Sequence, residues 1–454
     1  MQKGTHQKYL LFVLFVVLVF NKVEHAALGV VLQSIKVDLK LSDTQLGLLT
    51  GIAFTLFYAV MGVPLARWAD RGSRVSILSL TTALQCAAVA LCGAAGSFLQ
   101  LMIIRVAVAV GEAGCFPASN SLIADYFTRD ARPRATALYM LGYPVSSIVG
   151  YFAAGWLSGL YGWRLMFMLL GLPGLALAVL CLVTLREPRR AAKTEERSRD
   201  FVAEREFTNR QTYSLLWKNR TFRHVVIGYS LMAFFGIGNF LWAPTYFFRS
   251  YGLSVEQLGT WFAIVWGVGG LIGTLLGGEL VSRFASRNER AQLLAFAGIY
   301  VAFAFISTGT YLAPNAGIAF GFLGLTAISS YATYGPLFAM IQSLVPARTR
   351  ATAIAVTYFF TNLIGMGIGP LVTGALSDSL STAFGHNSLR YALLALCPGY
   401  LWAAWHYLLA SRTIAADMAT AAKNEVGSNY TEQNQNSQNQ QVASLVQLGG
   451  DRST

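Results

Sequence analysis

The chain has 454 residues, of which 55% are hydrophobic and only 12% charged, against about 25% charged in an ordinary soluble protein. That balance, with 43 glycines and a mean hydropathy of +0.50, excludes a water-soluble globule. The net charge of +13 raises nucleic acid as a partner, and the placement of the charges along the chain excludes it.

A helix crossing a hydrocarbon core about 30 Å thick needs roughly 20 mostly apolar residues. Twelve stretches qualify, at 9–32, 46–66, 75–95, 99–124, 135–157, 165–185, 225–247, 258–280, 291–311, 316–342, 351–376 and 389–409. Backbone polar groups cannot stay unpaired in lipid, so each is expected to be helical. The first stretch has the basic start and apolar run of a secretion signal. No small-residue cleavage site follows it and the apolar pattern resumes, so it reads as a retained span.

That span carries Lys22, Glu24 and His25, although a charge within a membrane costs about 2.5–3.5 kcal/mol on insertion scales. Asn21, Glu24 and His25 are spaced i, i+3, i+4 and share one helical face. Lys22 is expected to snorkel to the outer interface. In the fourth span Arg105 and Glu112 lie seven residues apart, about two turns, on one face that Ser119 continues. Depth counting puts Glu24 within reach of Arg105 and Glu112 roughly 10 Å deeper. The Glu24–Arg105 pair reads as structural, functional or both. Glu112 has no sequence-local partner and reads as a proton carrier or substrate contact. A histidine is the side chain that switches charge near neutral pH, which makes His25 a candidate as well.

Between the second and third spans lies "GVPLARWADRGSR". Asp70, Arg71 and Arg74 at this helix turn can pair with helix ends and hold one side shut. The corresponding second-half stretch, "GGELVSRFASR", has Ser282 where an acid would sit. The twelve spans divide six and six around the polar run "REPRRAAKTEERSRD", read as a linker, followed by a short amphipathic segment. The tetrapeptide Arg134-Ala135-Thr136-Ala137 recurs as Arg350-Ala351-Thr352-Ala353 at the same place in the second half. Duplicated six-helix halves, with a site between them near the midplane, form a transporter architecture.

The second half offers aromatic rather than charged faces: Phe235, Asn239, Trp242 and Tyr246 in the seventh span, Tyr331, Tyr334 and Phe338 in the tenth. Tyr139 and Tyr143 mark the fifth. Such stripes are core as readily as ligand-binding. Taken as cavity lining, Asn21, Tyr139, Tyr143, Asn239, Trp242, Tyr331 and Tyr334 give one charged wall and one aromatic wall, suited to an amphipathic molecule with an ionised head. "GMGIGP" in the eleventh span permits close helix approach. The last forty residues are Asn/Gln-rich and read as a disordered tail. The five cysteines fall within spans without metal-ligand spacing.

With the N-terminus inside, the inner segments hold 27 of the lysines and arginines and the outer loops 5. This is the positive-inside asymmetry, and it sets both termini in the cytoplasm. The expected organisation is an N-terminal half at 1–185, a cytoplasmic linker at 186–222, a C-terminal half at 223–411 and a tail at 412–454.

The loop with Asp70, Arg71 and Arg74 resembles the Gly-x-x-x-Asp-Arg-x-Gly-Arg motif of the major facilitator superfamily, with Ala66 and Ser73 in place of its two glycines. "LSDTQLGLLTGIAFTLFYAVMGVPLARWADRGSR" and "RVAVAVGEAGCFPASNSLIADYF" resemble the bacterial Spinster-like members, relatives of lysolipid and sphingolipid exporters. Those members begin with Asn-Tyr-x-Asp-Arg, where this chain has Asn21-Lys22-Val23-Glu24-His25; the acid is kept and the arginine becomes His25. The resemblance implies an all-α fold of twelve transmembrane helices in two pseudo-repeats, with the first and fourth spans lining a central cavity. It further implies a secondary active transporter of the bacterial inner membrane that works by alternating access. Coupling to protons through Glu24, His25, Arg105 and Glu112 is expected, with a lysolipid, another amphipath or an organic anion as substrate. A membrane ligand sensor without net transport and an energy-independent lipid facilitator are the alternatives. No nucleophile–base set, phosphate-cradling loop or metal cluster stands out, so no enzyme, cofactor or metal is expected.

Overall fold

The computed structural model describes residues 3–128, 131–187, 209–284, 288–345 and 349–419, and among them there is no strand. The first pass is α1 (Lys3–Leu39), and the second is α2 (Asp43–Thr50) with α3 (Ile52–Arg71), broken at Gly51. Helices α4 (Arg74–Cys92) and α5 (Phe98–Tyr126) are the third and fourth. α6 (Arg132–Met140) leads into α7 (Gly142–Thr184), which turns back at Gly162, φ 77°, and so supplies both the fifth and sixth passes.

After the short α8 (Asn209–Lys218), α9 (Arg220–Tyr251) is the seventh pass. The eighth joins α10 (Val255–Phe262) to α11 (Gly269–Phe284) through a π-helical turn at Ala263–Val268. α12 (Glu289–Leu312) and α13 (Ala316–Ser343) follow. The eleventh pass joins α14 (Arg350–Phe360) to α15 (Gly369–Phe384) through a second π-helical turn at Thr361–Ile368. The chain turns at Gly385, φ 51°, and α16 (Ser388–Leu396) with a helix over 399–419 completes the bundle. Among the described residues, ten helical runs are long and apolar enough to cross a membrane. Two of them, Arg134–Thr184 and Thr352–Ala419, each hold two passes, so the passes are twelve. Gly162 and Gly385 sit at the two reversals because only glycine adopts their left-handed backbone without strain.

The six-plus-six repeat is clearest where the second and eighth passes begin. Ser42 and Ser254 open them with the same capping box: each serine Oγ accepts from the backbone N–H three residues on, and Gln45 or Gln257 accepts from the serine N–H. The shared string is Leu-Ser-x-x-Gln-Leu-Gly, at 41–47 and 253–259. Both of its glycines face the other half at backbone contact. A Cβ on Gly47 would lie 2.5 Å from Pro370 O, and one on Gly259 would lie 2.5 Å from Tyr151 O. One turn deeper, a Cβ on Gly51 would lie 2.3 Å from Gly367 O.

All of these contacts lie toward the end of the bundle where α1 gives way to α2, called here the sealed end. One apolar cluster spans both halves there, joining Leu32, Leu46 and Tyr151 to Trp242, Phe262 and Leu389. Toward the opposite end the core splits. Leu14, Leu78 and Leu122 pack within the first half, and Phe222, Phe296, Met340 and Tyr407 within the second. The halves are therefore packed together at one end and part at the other.

The amphipathic segment before the seventh pass is helical as α8, burying Leu216 and exposing Tyr213 and Trp217. Residues 412–419, expected as the start of the tail, are helical and continue the last pass. Ile414 is buried, and Asp417 accepts hydrogen bonds from the Thr221 N–H and hydroxyl at the start of α9, which hold that final turn in place. Most of the expected linker (188–208) and the tail from 420 onward lie outside the described residues.

Candidate functional site

The ionisable residues of α1 and α5 meet in one network. Arg105 Nη1 donates to Glu24 Oε2, and both side chains are almost wholly buried. Lys22 Nζ donates to Glu112 Oε1. His25 Nε2 lies 3.0 Å from Glu112 Oε2 and 3.4 Å from Glu24 Oε1, so one ring nitrogen faces two carboxylates. Carboxylates are acceptors, so a proton on this nitrogen is what would let it donate to either of them. The His25 ring stands edge-on to Phe54, centroids 5.0 Å apart, and the Arg105 guanidinium lies 5.1 Å from the same ring. Phe54 thus holds both groups from α3.

The expected Glu24–Arg105 pair is present. Glu112, which has no sequence-local partner, meets two side chains of α1, Lys22 and His25. Lys22 does not snorkel away: its stem runs to the buried carboxylate, because an ion pair offsets the desolvation that either charge alone would suffer. The ligand atoms of Glu24, His25 and Glu112 lie within 4.8 Å of one another, a spacing a metal ion could use. Both carboxylate charges are already met by Lys22 and Arg105, so the arrangement is charge-balanced without a bound cation.

The other expected residues divide. Asn21 is taken up by Gln85: its Nδ2 donates to Gln85 Oε1 (2.6 Å), and Gln85 Nε2 donates to the Asn21 carbonyl (2.8 Å). That buried exchange ties α1 to α4. Asn239 donates to the Tyr400 hydroxyl within the second half, and Trp242 is fully buried with Nε1 donating to Pro370 O. Tyr139 is buried beside Phe116. These four side chains pack helices in this conformation. Tyr143, 38% exposed, and Tyr334, 47% exposed, do face open space, and Tyr331 is half-buried against Gly270. Lys22 Nζ lies 5.5 Å from the centre of the Tyr143 ring. Tyr334 and Tyr358 share a hydroxyl hydrogen bond of 3.1 Å across from it, and Tyr358 stacks on Phe338.

At the expected gate loop, the side chains of Asp70 and Arg71 lie outside the described residues. Arg74 is buried and pairs with Asp125 of α5, with the Ser121 carbonyl as a weaker acceptor.

The sealed end carries a second polar network, which the sequence reading did not anticipate. Asp43 accepts both Arg249 Nη1 and Nη2 at 2.7 Å, Lys36 Nζ at 2.5 Å and Ser377 Oγ at 2.7 Å. Arg249 Nε donates to Gln33. Asp378 accepts from the Asp43 and Thr44 N–H groups and the Thr44 hydroxyl, so an acid of the second half caps a helix of the first.

A helical bundle of twelve passes, halved six and six and joined at one end, with an ion-paired cluster behind the opening, is matched along residues 10–370 by the sequence profile of the Major Facilitator Superfamily. The chain belongs to the Major Facilitator Superfamily. It is a multi-pass membrane transporter, not an enzyme. An MFS-type efflux pump of Mycolicibacterium smegmatis is 32% identical over 414 residues, covering 90% of this chain and 94% of that protein. A cis,cis-muconate transport protein of Acinetobacter baylyi is 27% identical, covering 84% and 91%. Among solved structures, a bacterial homolog of the human lysosomal transporter Spinster, inward-facing and unoccupied, superposes with a TM-score of 0.78 at 29% identity, covering 91% of this chain and 98% of that one.

Two kinds of residue escaped the sequence reading. Tyr358 sits in the apolar run "AIAVTYFF", where nothing marks it apart from its neighbours. Of the sealed-end residues, Asp43 opens α2 and Arg249 lies in the last turn of α9, where they look like ordinary helix-end residues, and Ser377 and Asp378 lie inside α15, where nothing in the sequence pairs them with the first half. The repeated Leu-Ser-x-x-Gln-Leu-Gly string was the one available signal, since it marks Gly47 and Gly259 as equivalent.

Proposed function

We propose that this transporter is secondary active, works by alternating access and couples substrate movement to protons, carrying a small organic anion or an anionic amphipath. The observation that carries this is the titratable network of Lys22, His25, Glu112, Glu24 and Arg105, set behind a space that is sealed at one end and open at the other. A group able to exchange protons is useful in a carrier only if it meets each side in turn. The sealed-end contacts of Asp43 and Arg249 are the kind that must break for the opposite opening.

The positive-inside asymmetry supports placing the open end and both termini in the cytoplasm of a bacterial inner membrane, and the likeness to an inward-facing homolog agrees with it. The division at 1–185 and 223–411, with a linker between and a tail from 412, belongs to the same proposal, the start of the tail moving to about 420. The muconate transport relative favours an organic acid. The Spinster likeness favours a lipid-like body. An anionic head on an apolar body satisfies both.

The test is uptake by the purified chain in proteoliposomes carrying an imposed pH gradient, with radiolabelled benzoate and lysophosphatidate as probes. Accumulation that collapses with a protonophore is the expected result. Flux that only follows the probe's own gradient would leave a facilitator, and binding without flux would leave a sensor.

A further inference from the structure

We propose that Lys22 is the residue that binds the anionic group of the substrate, and that it does so by exchanging Glu112 for that group. This rests on the transport reading above. The site holds two fixed cations, and they differ in reach. The Arg105 side chain is 2% exposed, closed over by Glu24 and by the Phe54 ring. The Lys22 side chain is 19% exposed and lies against Tyr143, itself open to the cavity. An incoming anion therefore meets the ammonium and not the guanidinium. A lysine is also the better exchanger of the two: its three donors rotate on a flexible stem, whereas a guanidinium fork is fixed in plane.

The surroundings set the ligand class. Tyr58 of α3, Tyr143 of α7 and Tyr358 of α14 all lie within electrostatic reach of Lys22, and Tyr334 extends the aromatic wall. Tyrosine hydroxyls can donate to an anion while the ring faces take an apolar or unsaturated body. The substrate is thus a single anionic group, carboxylate or phosphate, on such a body.

The charges then fix what accompanies it. Lys22 and Arg105 balance Glu24 and Glu112 while His25 is neutral. Among the described residues, the charged and titratable groups facing the exchange are these five, with Tyr58, Tyr139, Tyr143, Tyr358 and Cys115. A carboxylate, or a phosphate in its singly charged form, adds one negative charge and leaves the site one short. Glu112, parted from Lys22, is left as a buried carboxylate facing His25 alone, and one proton from the open side, taken by Glu112 or His25, restores balance. Binding of the anion and uptake of a proton are one event.

The experiment measures binding of benzoate, lysophosphatidate and, as a cationic control, sphingosine to the purified full-length chain by calorimetry at pH 6 and pH 8. The variants are Glu112→Gln alone and with Lys22→Met or Lys22→Arg. Monodispersity and melting are checked first, and the paired substitutions leave no uncompensated carboxylate. Glu112→Gln frees Lys22 from its competitor, so anion affinity at pH 8 should tighten about tenfold, and the affinity for benzoate, whose own charge does not change between pH 6 and pH 8, should lose its pH dependence. Adding Lys22→Met should then remove binding, and adding Lys22→Arg should keep it. Preference for benzoate or for lysophosphatidate identifies the source of the anion, and either supports the assignment.

Retained anion binding in Lys22→Met/Glu112→Gln overturns it, as does binding of sphingosine by a chain that binds neither anion, or no anion binding at all. If the double variant binds while wild-type flux still follows the pH gradient, the Lys22 assignment falls alone. If Lys22-dependent binding is present and the anion never crosses, the transport reading falls instead.

Discussion

Replacing Asp43 by asparagine should open the sealed end. The Asp43 carboxylate is buried, and of its partners Arg249 and Ser377 belong to the second half, whereas Lys36 belongs to the first. Contacts within one half persist whichever way the halves rock, so only the Arg249 fork and the Ser377 bond bias the equilibrium. Breaking a buried ion pair by removing one partner costs about 3–5 kcal/mol. Assigning about 3 kcal/mol of that to contacts between the halves shifts the ratio of sealed to unsealed molecules by about a hundredfold. The assay is electron–electron spin distance measurement between labels at Val37→Cys and Ser379→Cys, which flank the seal. The five native cysteines are buried and leave the introduced pair to react. The wild-type chain should give one short distance, and Asp43→Asn should add a longer, dominant population. Lys36→Met, which leaves every contact between the halves in place, should resemble wild type. An unchanged distance distribution in Asp43→Asn would refute the gating argument, even if the melting temperature fell.

Three further outcomes are expected. Gly51→Val should give the same longer distance in the spin assay, because a side chain there meets the Gly367 carbonyl at 2.3 Å; a seal that still closes would show that the helices can part locally without cost. Glu112→Gln should fold normally yet transport with no dependence on pH between 6 and 8; proteoliposome uptake with a wild-type pH profile would remove Glu112 from the coupling step. Glu24→Gln should lower stability by about 3–5 kcal/mol by leaving the buried Arg105 unpaired, and Glu24→Gln/Arg105→Met should recover most of it. Equal melting of the two variants would argue that the pair contributes little to the fold.

Much of the fold was legible because lipid imposes a strong rule on sequence: a span must be apolar for some twenty residues and must be a helix. The charged site was legible for the same reason, since Glu24, His25, Arg105 and Glu112 stand out where charge is costly. Lys22 was misplaced because its position near the middle of α1 fixes where its Cα lies but not which way a long, flexible stem turns. Asn21, Asn239 and Trp242 were assigned to the cavity by helical face alone, and a face cannot tell a cavity from a neighbouring helix that takes the same hydrogen bonds. The seal was hidden because its acid and its arginine are more than 200 positions apart, each in an unremarkable helix end. In the eighth and eleventh passes the π-helical turns add a further obstacle: each inserts extra backbone into the helix, so residues before and after it no longer follow one 3.6-residue period.

The cancellation of charge between Lys22, Arg105, Glu24 and Glu112 bears on what can power the cycle. A site that is neutral when empty, and neutral again with one anion and one proton aboard, carries no net charge across the membrane in either direction. A potential of 100 mV, worth about 2.3 kcal/mol for each elementary charge moved, then neither drives nor opposes the carrier. Accumulation would answer to the proton concentration difference alone, and a cell could depolarise without emptying the pool the carrier has built.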